Sequence, residues 1–496
     1  PYSPEVLASM LRNVASRGSL PERREAAALL GELEASRVEL GAHHGSKAAV
    51  SDSGGYFGET GALLRLNARL GEGLWISGGT GLQLADQADS SAPQDTSVPG
   101  ERHGEDLVSD DGKLAIQGFN GKDLSFRLSS FSNASYARGD FWVQAGVTRS
   151  SYGPFFGNGV VLGPQAPAAA NWSASCRLGD WRYSMLLMNL TKSARSADSA
   201  AGGPDVDVST DTDKFLMFHS FSYSPFPALD LGLFETVVWA NHFEPLYILP
   251  FANYFALQSL SGFEDNSLAG VYATLRLPGR LEAAAQVYID DIGFNDFAQL
   301  DFDAKLLAAA ECGLSWAPAD SSLRLLSADY TAVLPYMYTH HYSGTAQDDY
   351  TQAGASLGAE LLPNSDRAEL RARFAFDSLP GLDLEALARL IRHGNASEGL
   401  YSGTGGLDDD GWTNGECTYT TPYASTTSPR YLRFLSQSVL ERTWELGAGA
   451  SCRLPLGKGS VDLSARYVFA YVENSGRVAG GNGIRHYLSF GLTCWL

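Results

Sequence analysis

At 496 residues the chain is several times the commonest domain size, which makes a multidomain soluble enzyme the starting expectation. Composition points elsewhere: 53 Gly, 11% aromatic residues and only 19% charged residues, with no uninterrupted run of about 18 apolar residues to form a membrane helix. A net charge of −20 with no basic stripe argues against nucleic acid as a partner.

The chain begins at Pro1 without an initiator Met or a signal peptide, as expected of a processed exported protein or of a trimmed chain. In "SPEVLASMLRNVASRG", Ser3 is placed as an N-cap, Pro4 at the first helical position and Gly18 as a stop. "LPERREAAALLGELEASRVELG" repeats the plan with Pro21 and Gly41. Residues 1–42 are therefore expected to be a small helical segment whose modest apolar faces dock on something larger.

From about residue 60 the periodicity becomes two. In "GALLRLNARL" Ala62, Leu64, Leu66, Ala68 and Leu70 share one face, and Arg65, Asn67 and Arg69 share the other. "RAELRARFAF" sets Ala368, Leu370, Ala372, Phe374 and Phe376 against Arg367, Glu369, Arg371 and Arg373. "VDLSARYVFAY" sets Val461, Leu463, Ala465, Tyr467, Phe469 and Tyr471 against Asp462, Ser464 and Arg466. The chain ends in "IRHYLSFGLTCWL", where Leu488, Phe490, Leu492, Cys494 and Leu496 alternate with Tyr487, Ser489, Gly491, Thr493 and Trp495.

A soluble β-sandwich also alternates, but two features favour a membrane barrel. The candidate strands run about 10 to 14 residues, as tilted spanning strands do. Tight turns at 70–73, 178–180, 224–227, 277–280, 317–321, 362–367 and 456–459 also alternate with long segments at 84–123, 150–170, 191–213, 240–267 and 334–350. Seventeen strands are expected at 60–70, 73–85, 124–131, 140–149, 171–178, 180–191, 213–223, 228–239, 268–277, 281–291, 303–316, 320–333, 351–361, 367–377, 440–453, 459–472 and 484–496. An even number is required, so an eighteenth is placed before residue 60, within "SKAAVSDSGGYFGE". By the same parity "LDLEALARLIRH" (382–393), where Leu384, Leu387, Leu390 and Ile391 fit a helix as well as a strand, is read as a helix inside one large external loop, 378–438. The fold expected is an all-β transmembrane antiparallel barrel of about 18 strands over residues 43–496, with the helical segment at its periplasmic mouth and its long loops outside.

Enzyme signals are sparse. "GASLG" (354–358) matches G-x-S-x-G but falls inside a predicted strand instead of a strand–turn–helix. "LDDDGW" (407–412) offers carboxylates without the spacing of a calcium loop. The five cysteines are scattered without metal-like spacing, and neither metal nor cofactor is expected.

A different constellation lies between 149 and 296: "RSSYGPFFGNGVVLGPQAPAA", "FHSFSYSPFPALDLGLFE", "YILPFANYFALQSLSGFEDNSLAG" and "VYIDDIGF". With Arg149 and Gly153-Pro154, then Asp265-Asn266 followed by Leu268 and Gly270, and Tyr288 with Asp290-Asp291, this stretch resembles the Wzi-like capsule-assembly family of outer-membrane proteins. Tyr152 and Phe155 depart from the family pattern, in which Trp and Gly are expected. The resemblance implies an eighteen-stranded barrel with a helical bundle at the periplasmic mouth, serving to attach capsular polysaccharide to the cell surface. On the expected topology Gly153, Pro154, Asn158, Asp265, Asn266, Asp290 and Asp291 share the external rim. The loop 240–267 adds Phe243, Tyr247, Phe251, Tyr254, Phe255 and Phe263, whose rings can stack on sugar faces while Asn and Asp bond hydroxyls. The alternative is that these loops fold inward, the aromatics packing a plug and the Asp and Asn capping turns.

The function expected is a non-enzymatic outer-membrane barrel that binds or organises exported polysaccharide, with outer-membrane lipid, surface polysaccharide and other envelope proteins as the partners considered. The alternatives are a substrate-selective porin lined by Arg65, Arg69, Arg367, Arg371, Arg373 and Arg466, or an anchor for a larger envelope complex.

Overall fold

The computed structural model describes residues 4–50, 55–86, 115–119, 122–153, 159–191, 213–261, 265–292, 306–319, 321–339, 348–352, 355–394 and 434–496. Two helices, α1 (Pro4–Arg17) and α2 (Leu20–Glu34), precede the sheet. The barrel strands are β1 (Arg37–Val50), β2 (Gly55–Arg69), β3 (Leu74–Asp86), β4 (Lys122–Arg138), β5 (Phe141–Thr148), β6 (Ala169–Leu178), β7 (Trp181–Leu190), β8 (Lys214–Phe226) and β9 (Leu229–Ala240). They continue with β10 (Asn266–Leu277), β11 (Leu281–Ile292), β12 (Leu306–Trp316), β13 (Leu323–Val333), β14 (Ser365–Phe376), β15 (Leu379–His393), β16 (Glu441–Leu456), β17 (Gly459–Glu473) and β18 (Gly483–Trp495). These eighteen and the short Ala115–Phe119, which extends β4 as a hairpin, make up the 19-stranded sheet. Each strand pairs antiparallel with the next, and β18 returns to β1 from Gly41↔Trp495 to Val50↔His486, so the ladder closes on itself.

Alternation assigns the two faces. Leu64, Leu66, Leu370, Leu488 and Phe490 are exposed on the outer wall, where lipid replaces water, and Arg367 and Glu369 on the opposite face are buried. From β2 onward the tight connections, among them two-residue Gly-Asp turns in which Gly139 and Gly179 take φ of 59° and 64°, lie at the end where α1 and α2 dock. There Glu5 of α1 accepts from Trp75 Nε1 at 3.0 Å and pairs with Arg69 at 3.3 Å. Glu22 of α2 accepts the Ser19 N–H at 2.7 Å and Arg280 Nη2 at 3.2 Å, and Arg453 reaches Glu32 at 2.9 Å. The helices thus lie across the short-turn mouth, held by ion pairs to the strand ends.

Four sequence expectations are corrected. The second helix stops at Glu34, with Ala35 already extended, and β1 starts at Arg37, inside the segment assigned to helix, because Val38 and Leu40 alternate onto the lipid face. The segment 46–59 contains the end of β1 and the beginning of β2. Residues 382–393 are part of strand β15, in which Arg389 faces the lumen between Glu369 and Glu445, so the loop expected at 378–438 starts after His393. Finally, the strand expected at 351–361 is a small hairpin, Thr351–Gln352 with Ala355–Ser356, and 362–367 lies at the long-loop end instead of forming a tight turn. The last two errors exchange one strand for another, which is why the total of eighteen stands.

Candidate functional site

The long-loop mouth is built by segments that fold inward. Residues 159–168, after β5, place Val160, Val161 and Leu162 against Leu186, Met188, Leu216, Phe218, Phe234 and Val238 of the lumen wall, all buried. The segment between β13 and β14 packs on top with Met337, Tyr338, Tyr350, Leu357, Ala359 and Leu361. Hydrogen bonds join the two loops: Tyr338 OH donates to Val160 O at 2.7 Å, Tyr350 OH to Val161 O at 2.8 Å, and Gly163 N–H to Leu357 O at 2.7 Å. Burial pushes the Tyr350 hydroxyl well above its ordinary range, so it stays protonated and remains a donor. Lys214, at the top of β8, is completely buried and sends Nζ to Asp349 Oδ1 and Thr351 O, each at 3.1 Å. Apolar contact and buried hydrogen bonds together hold the plug in one arrangement.

Below the plug the lumen wall is charged. Arg389 donates to Glu369 at 2.7 Å and to Glu445 at 3.0 Å, and Arg371 adds a contact of 2.8 Å to Glu369. Such a network leaves little side-chain freedom, because each buried charge is compensated by another. Near the helices, Arg65 lies 4.1 Å over the Trp495 ring.

The sequence-predicted site residues are divided between two surfaces. Asn266 and Asp290 reach the plug: Asn266 Nδ2 donates to Asp348 O at 2.9 Å, and Asp290 Oδ2 accepts the Tyr338 N–H at 3.1 Å. Gly153 follows Tyr152, whose ring packs 4.7 Å from that of Phe218, and takes a φ of 149° that favours glycine. Asp291 lies at a register shift between β11 and β12. Tyr254 and Asp265 are elsewhere, on the outer wall, where Tyr254 stacks on His219 at 4.3 Å and Asp265 accepts from Tyr247 OH. Pro154 and Asn158, like "LDDDGW", lie outside the described residues. Ser356 of "GASLG" is buried in the plug hairpin. Lys214, Tyr338 and Tyr350 were not anticipated; a lone Lys opening the apolar run "KFLMF" was the available signal for the first.

The loop between β9 and β10 explains that division. It contains a 3-10 turn (Pro245–Ile248) and α3 (Tyr254–Ser261), and it folds back over the outside of the barrel. Tyr247 and Tyr254 join Tyr183, Met185, Leu187, Phe215, Met217, Val237 and Trp239 in a second apolar cluster. That wall is the outer one, since Leu231 and Leu233, on the same face of β9 as Val237 and Trp239, are exposed.

A closed antiparallel barrel of eighteen strands with an apolar outer wall, a charged interior and plugging loops defines an outer-membrane type of β-barrel. No family model matches the sequence, and no curated protein matches it. Among solved structures the chain is similar to Wzi of Escherichia coli, described as an outer membrane protein involved in group 1 capsule assembly and as a carbohydrate binding beta-barrel. The identity is 13%, over 99% of this chain and 88% of that chain, with a TM-score of 0.53, which establishes a common fold. It also matches OpdL of Pseudomonas aeruginosa at 11% identity, over 93% of this chain and 98% of that chain, with a TM-score of 0.47. OccAB2 of Acinetobacter baumannii matches at 10%, over 92% and 98%, with a TM-score of 0.44.

Proposed function

We propose that this protein is a plugged, non-enzymatic barrel of the outer membrane that holds exported polysaccharide at its long-loop end, with that end facing outside. The observation that carries the reading is the pair of inward loops joined through Tyr338, Tyr350 and Gly163, with α1 and α2 across the opposite mouth. Such an interior suits a rigid surface scaffold better than a solute channel. The fold shared with a carbohydrate-binding barrel supports polysaccharide as the ligand class.

The test compares cell-bound with released polysaccharide in matched strains with and without the protein. Loss of the protein is expected to shift polysaccharide into the medium, and restoring it to reverse the shift. Unchanged retention overturns the reading. Planar-bilayer recording separates the porin alternative, because the plugged barrel is expected to give no stepwise conductance.

A further inference from the structure

The loop between β9 and β10 has a second face, turned away from the barrel. Leu246, Leu249 and Phe255 are 40%, 52% and 54% exposed there, and Phe243 and Phe251, 49% and 60% exposed, edge the patch while packing on Phe215 and Tyr183 of the wall. Residues 245–263, "PLYILPFANYFALQSLSGF", contain no Asp, Glu, Lys, Arg or His. Apart from Phe243, which lies between His242 and Glu244, this exposed apolar surface is free of charge, and a surface of this kind is a contact surface.

Three observations say what contacts it. First, the patch lies on the same outer wall as the lipid-facing residues Leu231, Leu233 and Val271, which are exposed. Second, much of the loop's backbone is hydrogen-bonded, within the loop or to the barrel wall. Leu249 N–H bonds Leu246 O, Ala252 N–H bonds Leu249 O and Leu257 N–H bonds Asn253 O, at 3.2, 3.3 and 3.0 Å. Phe251 N–H reaches Tyr183 OH at 3.2 Å, and Tyr254 N–H reaches Glu235 Oε2 at 3.1 Å. Each such bond lowers the cost of placing this irregular backbone against hydrocarbon, where an unpaired N–H is expensive. Third, the outer wall beneath the loop carries a polar pair, His219 Nε2 with Glu235 Oε2 at 3.2 Å, which Tyr254 and Asn253 cover. On a lipid-facing wall such a pair requires a seal.

We propose that residues 243–261 form a membrane-seated wedge: a loop that leaves the barrel rim, lies against the outer wall over β7–β9 and presents Phe243, Leu246, Leu249, Phe251 and Phe255 to the acyl chains of the outer leaflet. The wedge thickens the barrel on one side and fixes the depth and tilt at which it sits. A second copy of the chain is the competing occupant, but a place on the same wall as the lipid-facing Leu231, Leu233 and Val271 favours acyl chains.

The experiment places a nitroxide label at Leu249→Cys and, separately, at Phe255→Cys, in a chain whose five native cysteines are replaced by Ser, reconstituted in phospholipid vesicles. Leu233→Cys serves as the lipid reference and Val478→Cys, in an exposed rim loop, as the aqueous one. Each protein is first shown to migrate as a folded barrel on an unheated gel, and two independent positions guard against one misfolding. Collision with molecular oxygen is expected to exceed collision with a water-soluble nickel chelate at both positions, as at Leu233→Cys. Nickel access equal to that at Val478→Cys overturns the proposal by placing the loop in water. Protection from both reagents overturns it in favour of a protein partner, with a second copy recognised by a doubled mass in detergent.

Discussion

Lys214 shows how much of the plug depends on single side chains. Its ammonium is buried at the top of β8, and its contacts to Asp349 and Thr351 tie the inward hairpin to the barrel wall. Lys214→Met keeps the aliphatic stem and removes the charge, leaving the Asp349 carboxylate without this cation at a cost of about 3–5 kcal/mol. The loss falls on the plug and leaves the strand ladder intact, so the expected result is faster limited proteolysis within 334–364 with unchanged heat-modifiable migration. On the lipid face, Leu492→Arg is expected to impair insertion by about 2–4 kcal/mol, whereas Arg at Ser489, which faces the lumen, does far less; yields of folded protein in outer membranes compare the two. At this scale the sequence was partly informative. That Asn266 and Asp290 lie at the long-loop end was legible from their position after or before strands, but Tyr254 and Asp265 were grouped with them because sequence cannot tell a loop that folds over the rim from one that folds into the mouth.

The helices α1 and α2 are held by charges at the short-turn end, and this makes their docking sensitive to acid. Burial alone would raise the Glu5 carboxyl, but the hydrogen bonds from Trp75 and Arg12 and the charge of Arg69 outweigh it and hold Glu5 below the usual carboxylate range. For Glu22, burial likewise opposes ionisation, and the Ser19 N–H with Arg280 prevails. Carboxyls depressed in the folded state contribute stability that is fully present above their unfolded value of about 4.3 and is lost as pH falls through the folded one. Hydrogen exchange in Pro4–Glu34 is therefore expected to accelerate on acidification below that value, after correction for intrinsic rates, while exchange in β16–β18 stays slow. Among elements, strands with strict alternation were legible, and the failures have a common cause. In β15 the inward positions include Leu387 and Ile391, which pack against the lumen wall and the plug, so apolar residues fall on both faces and imitate a helix. In β1, His43, His44 and Gly45 interrupt the contrast between faces.

As a whole the molecule is a closed ladder, and the expected signature is heat-modifiable migration: a compact species on an unheated detergent gel that converts to a slower one on boiling. Migration independent of heating contradicts the barrel. Closure has a further consequence, which concerns time. The seam joins β1 to β18, so Gly41 must find Trp495 across nearly the whole length of the chain. Loop-closure entropy makes so distant a pairing slow, and the seam cannot form before the last strand is delivered. Until then β1 and β17 each carry a row of unpaired amides and carbonyls, the arrangement that invites association with other chains. The inward loops also have no enclosed space to fill until the wall around them is complete. Assembly therefore runs against a clock set by aggregation, and the thirteen residues of Gly483–Trp495 decide when it stops.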